Sequence, residues 1–298
     1  MKLGYSIPSN QGVADPADLI DLAVRAEELG FASVWASEHL FHSSYIADRL
    51  GNLPYYEPLT ILTAVAARTS TIRLGTSVLV LPWHDPPRLG KVVATLDQIS
   101  KGRVDLGVGV ALTEDEFANL GVDYASRGRR ANEVLGALQA LWTQETPEYD
   151  GEFYRYSGLK FSPKPYQSPY PPILIGGKSK AALRRTVRFG DGWHTLRQSP
   201  AEVAETRAQL EPMMAEAGRD MASLRLSVSI PVRFEDAAPT RPPAERRSLT
   251  GRPEDIAETL QAFADVGVAE FSISFGSTDP AAHRDVIERI AADVMPKI

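Results

Sequence analysis

Two glycines followed by a lysine and a serine form the most informative chemical pattern in the sequence. Residues 173–175 are predicted as a buried strand, Gly176 and Gly177 follow it, and a helix is predicted to begin near Ser179. Glycines let the backbone approach an anion, and a helix N-terminus offers free N–H groups and partial positive charge. Together with Lys178, this segment predicts a phosphate-binding turn. A tight strand-to-helix turn without a ligand explains the two glycines equally well.

A histidine preceded by a glutamate, Glu38-His39, ends the second predicted strand. Histidine in such a place can donate to a carbonyl, shuttle a proton or bind a metal, although it can also merely satisfy a loop. Neither His-x-His nor His-Glu-x-x-His occurs, so no metal site is expected. His42 and His84 are expected to be structural or to shape a substrate pocket, and His283 on the last predicted helix is expected to face solvent.

The fourth predicted strand ends in Gly107-Val108-Gly109, which leaves little side-chain bulk. A flat aromatic ring could lie against such a surface, and packing near a bend in the strand is the alternative. Trp193, after Asp191-Gly192, either contacts the same ring or fills the interior. The sequence has no cysteine and no Gly-x-Ser-x-Gly, so thiolate chemistry and a nucleophile elbow are excluded.

The elements that must position these residues alternate between strand and helix. Strands are predicted over 2–7, 31–35, 72–78, 103–108, 172–175, 191–195, 224–230 and 268–274. Helices are predicted over 16–29, 57–69, 87–100, 127–143, 179–189, 200–217, 253–266 and 280–293. Such alternation requires parallel βαβ units, because parallel neighbours need a crossover connection. Eight units in 298 residues predict an α/β fold of the (β/α)₈ TIM-barrel class, with one domain over residues 1–298.

An open doubly wound sheet is the alternative fold, but Leu112 stands where a dinucleotide fingerprint requires glycine.

Two stretches interrupt the barrel repeat. Residues 144–171 are predicted to hold a β-hairpin and a proline-stiffened return, and residues 231–249 a long surface loop on the active-site side. In a TIM barrel the active site lies at the C-terminal ends of the strands, where the candidate residues fall.

Composition limits the partners of the protein. A formal net charge of −6 and a pI near 5.5 without a basic stripe argue against nucleic acid. No apolar run is long enough to span a membrane, and the first residues do not have the pattern of a signal peptide. The sequence therefore predicts a cytoplasmic protein that acts on a small molecule.

Three segments taken together resemble the bacterial luciferase-like family of TIM barrels, which are flavin- and deazaflavin-dependent oxidoreductases. They are residues 26–39, residues 96–109, and residues 172–177 together with Asp191-Gly192-Trp193. No single segment is decisive, but their order is specific, and the resemblance extends from residue 2 to about residue 255. It implies an isoalloxazine-type ring over the barrel mouth, with its phosphate at Gly176, Gly177 and Ser179.

The resemblance also implies roles for individual residues. His39 matches a histidine near the redox centre of the ring and is the expected catalytic residue. A non-proline cis peptide bond is expected between Ser77 and Val78, behind the ring. The full expected cofactor-binding set is Ser37, Glu38, His39, Thr76, Ser77, Val78, Gly107, Gly109, Thr113, Gly176, Gly177, Lys178, Ser179 and Trp193.

The sequence departs from the sugar-phosphate dehydrogenases of this family at two positions. Val110 stands where those enzymes have a glutamate, and Ser43 stands where they have a tryptophan. Glu114 is near enough to substitute, although a solvated loop acid is the stronger expectation for it. Oxidation of glucose 6-phosphate is therefore disfavoured. An apolar substrate wall is expected from Phe41, Tyr56, Trp83 and Val110, supported by Tyr55 and Phe117.

These features predict an F420-dependent oxidoreductase that transfers a hydride between the deazaflavin and a small, hydrophobic organic substrate. The alternative is an FMN-dependent monooxygenase that receives reduced FMN from a partner reductase. A second alternative is a flavin-binding barrel without catalytic activity. The resemblance further implies a homodimer.

Overall fold

The computed structural model describes residues 1–111 and 113–298, and the side chains of all of these except Ser44. Leu112, which belongs to the predicted substrate loop 110–126, lies outside the described residues.

Eight parallel strands close into a barrel, which confirms the predicted (β/α)₈ TIM-barrel fold. The ring runs β1, β2, β3, β5, β8, β9, β10, β12 and back to β1, so no edge remains for an open doubly wound sheet. The strands in chain order are β1 Lys2–Ser6, β2 Ser33–Ala36, β3 Arg73–Thr76, β4 Leu79–Val80, β5 Val104–Gly109, β6 Tyr149–Asp150, β7 Arg155–Tyr156, β8 Ile173–Gly176, β9 Gly192–Leu196, β10 Arg225–Phe234, β11 Leu249–Gly251 and β12 Glu270–Ser274.

Helices surround the barrel and cover its outer face. They are α1 Pro16–Glu28, α2 Ser44–Leu50, α3 Pro58–Arg68, α4 Pro86–Ser100, α5 Asp115–Asn119, α6 Arg127–Thr143, α7 Lys180–Phe189, α8 Pro200–Glu216, α9 Pro253–Asp265 and α10 Pro280–Arg289. Proline opens many of them because its φ suits the first turn and its missing N–H is not needed there. At α1, for example, the Asp15 side chain accepts a hydrogen bond from the Ala17 N–H while Pro16 occupies the first helical position.

Several predicted boundaries were wrong. The strand predicted over 72–78 is interrupted after Thr76 and resumes as β4, which pairs with β5. Strand β10 continues to Phe234 and β11 pairs with its end, so the loop predicted over 231–249 is shorter. The last helix ends at Arg289, and a π-helical turn over Ile290–Val294 follows it. Helices α2 and α5 were not predicted at all, because each is shorter than the window in which periodicity can be recognised.

The segment predicted to interrupt the barrel, residues 144–171, holds the antiparallel pair β6 and β7. The hydroxyl of Tyr156 on β7 donates to the Ala137 carbonyl oxygen in α6 at 2.6 Å, which holds the hairpin against the outside of the barrel. In the part of the chain that the structure describes, no helix is long and apolar enough to cross a membrane.

Charged side chains close the N-terminal end of the barrel. Asp105 on β5 is 1% exposed and accepts hydrogen bonds from Arg73 on β3 at 2.6 Å and from Arg225 on β10 at 2.7 Å. Arg225 also pairs with Glu270 on β12, and Lys2 on β1 approaches Glu270 to 3.7 Å. Strands β5 and β10 are not neighbours in the sheet, so these pairs bridge the bottom of the barrel.

We expect Asp105→Asn to lower the free energy of unfolding by about 2 kcal/mol, less than for a fully buried pair because both arginines are about 30% exposed. Urea denaturation at neutral pH measures this change. Burial raises the pKa of Asp105, but hydrogen bonds from Arg73 and Arg225 outweigh it and lower the pKa. The stabilisation should therefore be present above about pH 4 and decline as the pH falls below it.

The matched control is Lys2→Met, which removes an exposed member of the same network. It should change the free energy of unfolding by less than about 1 kcal/mol, because an exposed ion pair is screened by water. Equal effects of the two substitutions would contradict the assignment of Asp105 as the centre of the network.

Candidate functional site

Strand β3 ends in a bulge at the barrel mouth. The peptide bond between Ser77 and Val78 is cis, which confirms the expectation drawn from the resemblance. The Ser77 hydroxyl hydrogen bonds to Nε2 of His194 at 2.8 Å, and Nδ1 of His194 hydrogen bonds to the Ser227 hydroxyl at 2.7 Å. The imidazole of His194 also stacks on Trp35, with ring centroids 5.2 Å apart. The side chain of His194 thus supports the bulge from inside the barrel.

His194 is neutral in this position. Burial lowers its pKa to about 4 because no carboxylate compensates the cost of a buried imidazolium. The sequence offered no reason to single this histidine out, because its role depends on Ser77 and Ser227 from two other strands.

The glycines at the ends of β5 and β8 make room for the bulge. A Cβ on Gly107 would lie 1.8 Å from the Thr76 carbonyl oxygen, and one on Gly109 would lie 2.8 Å from Cγ2 of Val78. Gly176 faces the same valine, and a Cβ on it would lie 3.4 Å from Cγ1. Of the two explanations for Gly107, close packing is therefore the one that the geometry favours. Thr76 adds a hydrogen bond from its hydroxyl to the Gly107 carbonyl oxygen.

Glu38 and Ser37 connect the loops of the mouth to one another. The Glu38 carboxylate is buried and accepts hydrogen bonds from the Val80 N–H at 2.6 Å and from Nε2 of His84 at 3.0 Å. The Ser37 hydroxyl accepts from the Asn10 side chain and hydrogen bonds to the Tyr55 hydroxyl. Both residues were expected to bind cofactor, and the structure gives each of them protein partners. The hydrogen bond between His84 and Glu38 agrees with the structural role that was one of the two expected for His84.

His39 lies at the mouth with both ring nitrogens engaged. Its Nδ1 is 2.6 Å from Oε2 of Glu116, and its Nε2 is 3.1 Å from the Tyr45 hydroxyl. The rings of Tyr55 and Trp83 meet the imidazole edge-on, with centroids 5.7 and 6.0 Å away. These contacts hold the imidazole in one orientation. The His39 side chain remains 18% exposed.

Glu116 was missed in the sequence. Its side chain is fully buried, and its Oε1 accepts from the backbone N–H groups of Leu40 and Phe41 at 3.0 and 3.1 Å. Burial raises the pKa of Glu116, but the hydrogen bonds from His39 and the backbone lower it overall, so the carboxylate is ionised at neutral pH. Glu114, which had been considered for an acidic role, is exposed just before α5. Little in the sequence pointed to Glu116. It lies two residues after Glu114, on a helix that is too short to be recognised from its periodicity.

Buried polar atoms without a partner lie on loops at the same end of the barrel. They include the hydroxyls of Ser9 and Ser43, and two others are the indole N–H of Trp83, which follows β4, and the hydroxyl of Thr113, which follows β5. Among the described residues, neither of these last two atoms has a hydrogen-bond partner. A buried polar group without a partner costs about 1–3 kcal/mol, so both atoms gain from a ligand that supplies one.

The predicted phosphate-binding turn joins β8 to the start of α7. Gly177 has a φ of +102°, which favours glycine, and its carbonyl oxygen accepts from the Trp193 indole N–H at 2.7 Å. Ser179 caps α7 by accepting from the Ala182 N–H at 3.2 Å. Lys178 is exposed, and its Nζ lies 4.0 Å from Oε1 of Glu202. Trp193 is buried, so it fills the barrel and buttresses the turn.

The remaining predicted residues are placed as follows. Phe41 is exposed at the mouth, Val110 is half-buried after β5, and the Tyr56 hydroxyl donates to the Ala14 carbonyl oxygen. His42 is exposed and bonds the Gly51 carbonyl oxygen. The expectation for His283 was wrong: it is buried, with Nδ1 bonded to the Tyr5 hydroxyl and Nε2 to the Ser277 carbonyl oxygen.

No cluster of three or more histidine, aspartate or glutamate side chains in the described part of the chain could hold a metal ion.

The luciferase-like monooxygenase family matches residues 1–241, and the chain belongs to that family. It is 34% identical to the uncharacterized protein Rv0953c of Mycobacterium tuberculosis, over 79% of this chain and 75% of that protein. It is 32% identical to the FMNH(2)-dependent dimethylsulfone monooxygenase of Pseudomonas putida, over 70% of this chain and 55% of that enzyme. It is also 32% identical to the F420-dependent glucose-6-phosphate dehydrogenase of Amycolatopsis mediterranei, over 65% of this chain and 56% of that enzyme.

Solved structures share the fold. The monooxygenase RslO1 from Streptomyces bottropensis superposes with a TM-score of 0.84 at 24% identity, covering 99% of both chains. An F420-dependent secondary alcohol dehydrogenase superposes with a TM-score of 0.81 at 18% identity, covering 99% of this chain and 98% of that one. The family thus includes F420-dependent and FMNH2-dependent homologues, and the chain is a luciferase-like oxidoreductase.

The buried imidazole of His194 should make stability depend on pH between about 6.5 and 4. In that range the unfolded chain takes up a proton that folded His194 does not, so stability falls as the pH falls. At pH 5 the loss relative to pH 7.5 should be about 2 kcal/mol. The measurement is urea denaturation of wild type and His194→Gln at both pH values, and the difference between the two proteins should shrink at pH 5. A difference independent of pH would contradict a neutral His194.

Proposed function

We propose that the protein is an F420-dependent oxidoreductase that transfers a hydride between the deazaflavin and a small apolar organic substrate. The observation that carries this proposal is the arrangement at His39. A buried carboxylate binds Nδ1, and Nε2 faces the Tyr45 hydroxyl at the barrel mouth, where it can exchange the proton that accompanies hydride transfer.

The residues present fit such a cofactor. Gly177, Lys178 and Ser179 at the start of α7 offer a backbone turn, an ammonium group and a helix N-terminus for its phosphate. Val78 projects from the bulge beside Gly109 and Gly176, which supports a flat ring over the ends of β5 and β8. The unpartnered polar atoms of Trp83 and Thr113 would gain partners from a ligand in the mouth.

When bound, the deazaflavin accepts or releases a hydride at its C5 and does not readily activate oxygen. The chain itself supplies orientation and proton transfer. His39 takes up or releases the accompanying proton at Nε2, and ionised Glu116 stabilises the imidazolium that results. Tyr55 and Trp83 pack edge-on against the imidazole and shield part of it from water.

The substrate side of the mouth favours an apolar molecule over a sugar phosphate. Leu40 and Phe41 are each 45% exposed on the loop after β2. Val110 and Ser43 replace the glutamate and tryptophan expected in sugar-phosphate dehydrogenases. We therefore do not extend the substrate of the Amycolatopsis relative to this chain.

An FMN-dependent monooxygenase supplied by a partner reductase is the second candidate. The 32% identity to the dimethylsulfone monooxygenase of Pseudomonas putida favours it. The same turn at α7 and the same bulge suit either cofactor, because both have a tricyclic ring and a phosphate.

Titration of the cofactor-free protein with F420 and, separately, with FMN tests the choice. We expect tight binding of F420 and weaker binding of FMN, followed by the absorbance or fluorescence of each ring. The reverse order would move the assignment to a flavin monooxygenase and make oxygen consumption the next measurement. Binding of neither cofactor would overturn both candidates and favour the barrel without catalytic activity.

His39→Ala separates proton transfer from binding. Turnover should fall about 10²-fold or more because the proton acceptor is lost, while the F420 dissociation constant should change little. His42→Ala is the matched control, because His42 is exposed on the same loop and contacts only the Gly51 carbonyl oxygen among the partners described. Equal losses of affinity and turnover in His39→Ala would make His39 a binding residue instead.

A further inference from the structure

A tyrosine at the start of α2 stands between His39 and the open mouth of the barrel. The Tyr45 hydroxyl is 3.1 Å from Nε2 of His39, and the two rings meet edge-on at 88° with centroids 6.0 Å apart. Tyr45 is 54% exposed, whereas Glu116 on the other side of the imidazole is fully buried. Three side chains therefore form a row from the protein interior to the solvent-accessible mouth.

The buried end of this row determines the direction of its hydrogen bonds. The ionised Glu116 carboxylate is acceptor-only, and its Oε1 already accepts from two backbone N–H groups. Nδ1 of His39 must then carry the proton that it shares with Oε2. Neutral His39 has its lone pair on Nε2, so the Tyr45 O–H donates to it. The lone pairs of the Tyr45 oxygen consequently remain available on the other side.

We propose that Tyr45 is the catalytic residue that exchanges a proton with the oxygen of an alcohol or carbonyl substrate, with His39 behind it as proton acceptor and Glu116 as positioning residue. This assignment rests on the proposed function, because it describes the proton that accompanies hydride transfer.

The step balances without a further reactant. In the oxidative direction the substrate O–H bond breaks and its proton goes to the Tyr45 oxygen, while the Tyr45 proton moves to Nε2 of His39. The substrate C–H bond would give up its electron pair as a hydride, for which oxidised F420 would be the acceptor, and the substrate carbon–oxygen double bond would form. Reduction of a carbonyl runs these transfers backwards. Glu116 stays ionised throughout and pairs with the imidazolium.

The surroundings of Tyr45 suit this role. Burial raises its pKa, as does Glu116, whereas Arg49 and Arg197 lower it, and the net shift is upward. The phenol therefore holds its proton at neutral pH and can relay it. Leu40 and Phe41 are exposed on the same loop, and Leu196 is 64% exposed at the end of β9. These side chains favour apolar substituents on the reacting carbon.

The first experiment measures the tautomer of His39 by ¹⁵N NMR of the imidazole nitrogens, with His39→Asn used to assign the signals among the five histidines. In wild type, neutral His39 should carry its proton on Nδ1. Tyr45→Phe should shift the Nε2 resonance and leave Nδ1 protonated. In Glu116→Gln the amide oxygen keeps the backbone N–H groups and the amide NH2 faces Nδ1, so the proton should move to Nε2.

The second experiment measures turnover of the F420-loaded enzyme with a panel of apolar secondary alcohols and their ketones. Tyr45→Phe and Glu116→Gln should each lower kcat by about 10²-fold, with the F420 dissociation constant unchanged. The matched control is Tyr166→Phe, because Tyr166 is also exposed, at 58%, and lies in the segment between β7 and β8. It should change neither the NMR signals nor kcat.

The outcomes separate this assignment from the proposed function. If F420 does not bind, both fail together. If F420 binds but the wild type turns over no alcohol or ketone, the substrate class assigned here is wrong and the cofactor assignment stands. If Tyr45→Phe shifts Nε2 but keeps kcat, Tyr45 only anchors α2. An unchanged Nε2 signal would show that the hydrogen bond to His39 is absent and would overturn the relay.

Discussion

The close approach of strand β3 to strand β5 is the constraint on which the barrel mouth depends. The Thr76 carbonyl oxygen occupies the space that a side chain at residue 107 would need, so only glycine is accommodated there. Because β3 can lie this close, the chain turns at Ser77 and Val78 and resumes as β4 on the same neighbour. Val80 in β4 then donates to Glu38, and the turn that follows β4 brings Trp83 against His39.

The mouth divides into two sides with different chemistry. On the side of β8 and β9, a backbone turn and the start of α7 form the proposed phosphate site, with Trp193 buttressing the turn. On the side of β2 and β5, side chains from separate loops converge on His39. The bulge lies between the two, held from below by the neutral imidazole of His194. A ring that spans both sides would thus meet rigid backbone at one end and titratable groups at the other.

The sequence predicted the barrel because proline and glycine mark the ends of many of its helices and several of its strands are almost continuously apolar. It also predicted that His39 lies at a strand end facing the barrel mouth, where the structure places it. It did not predict Glu116 or Tyr45, because each lies on a helix of at most seven residues and acts on a residue from another element. His283 was misjudged for a similar reason, since its partner Tyr5 is at the opposite end of the chain. Local patterns reveal elements, whereas such pairings depend on closure of the barrel.

The charged network at the bottom of the barrel has a consequence for how this fold can change. Arg73, Asp105, Arg225 and Glu270 all lie in strands, within a residue or two of their N-terminal ends. Their bonds hold the register of β3, β5, β10 and β12 without any contribution from the loops above. A loop at the mouth can therefore gain or lose residues while the strands beneath it keep their alignment. In this molecule, the loops that would change substrate preference lie at one end of the barrel, and the ion pairs that preserve the fold lie at the other.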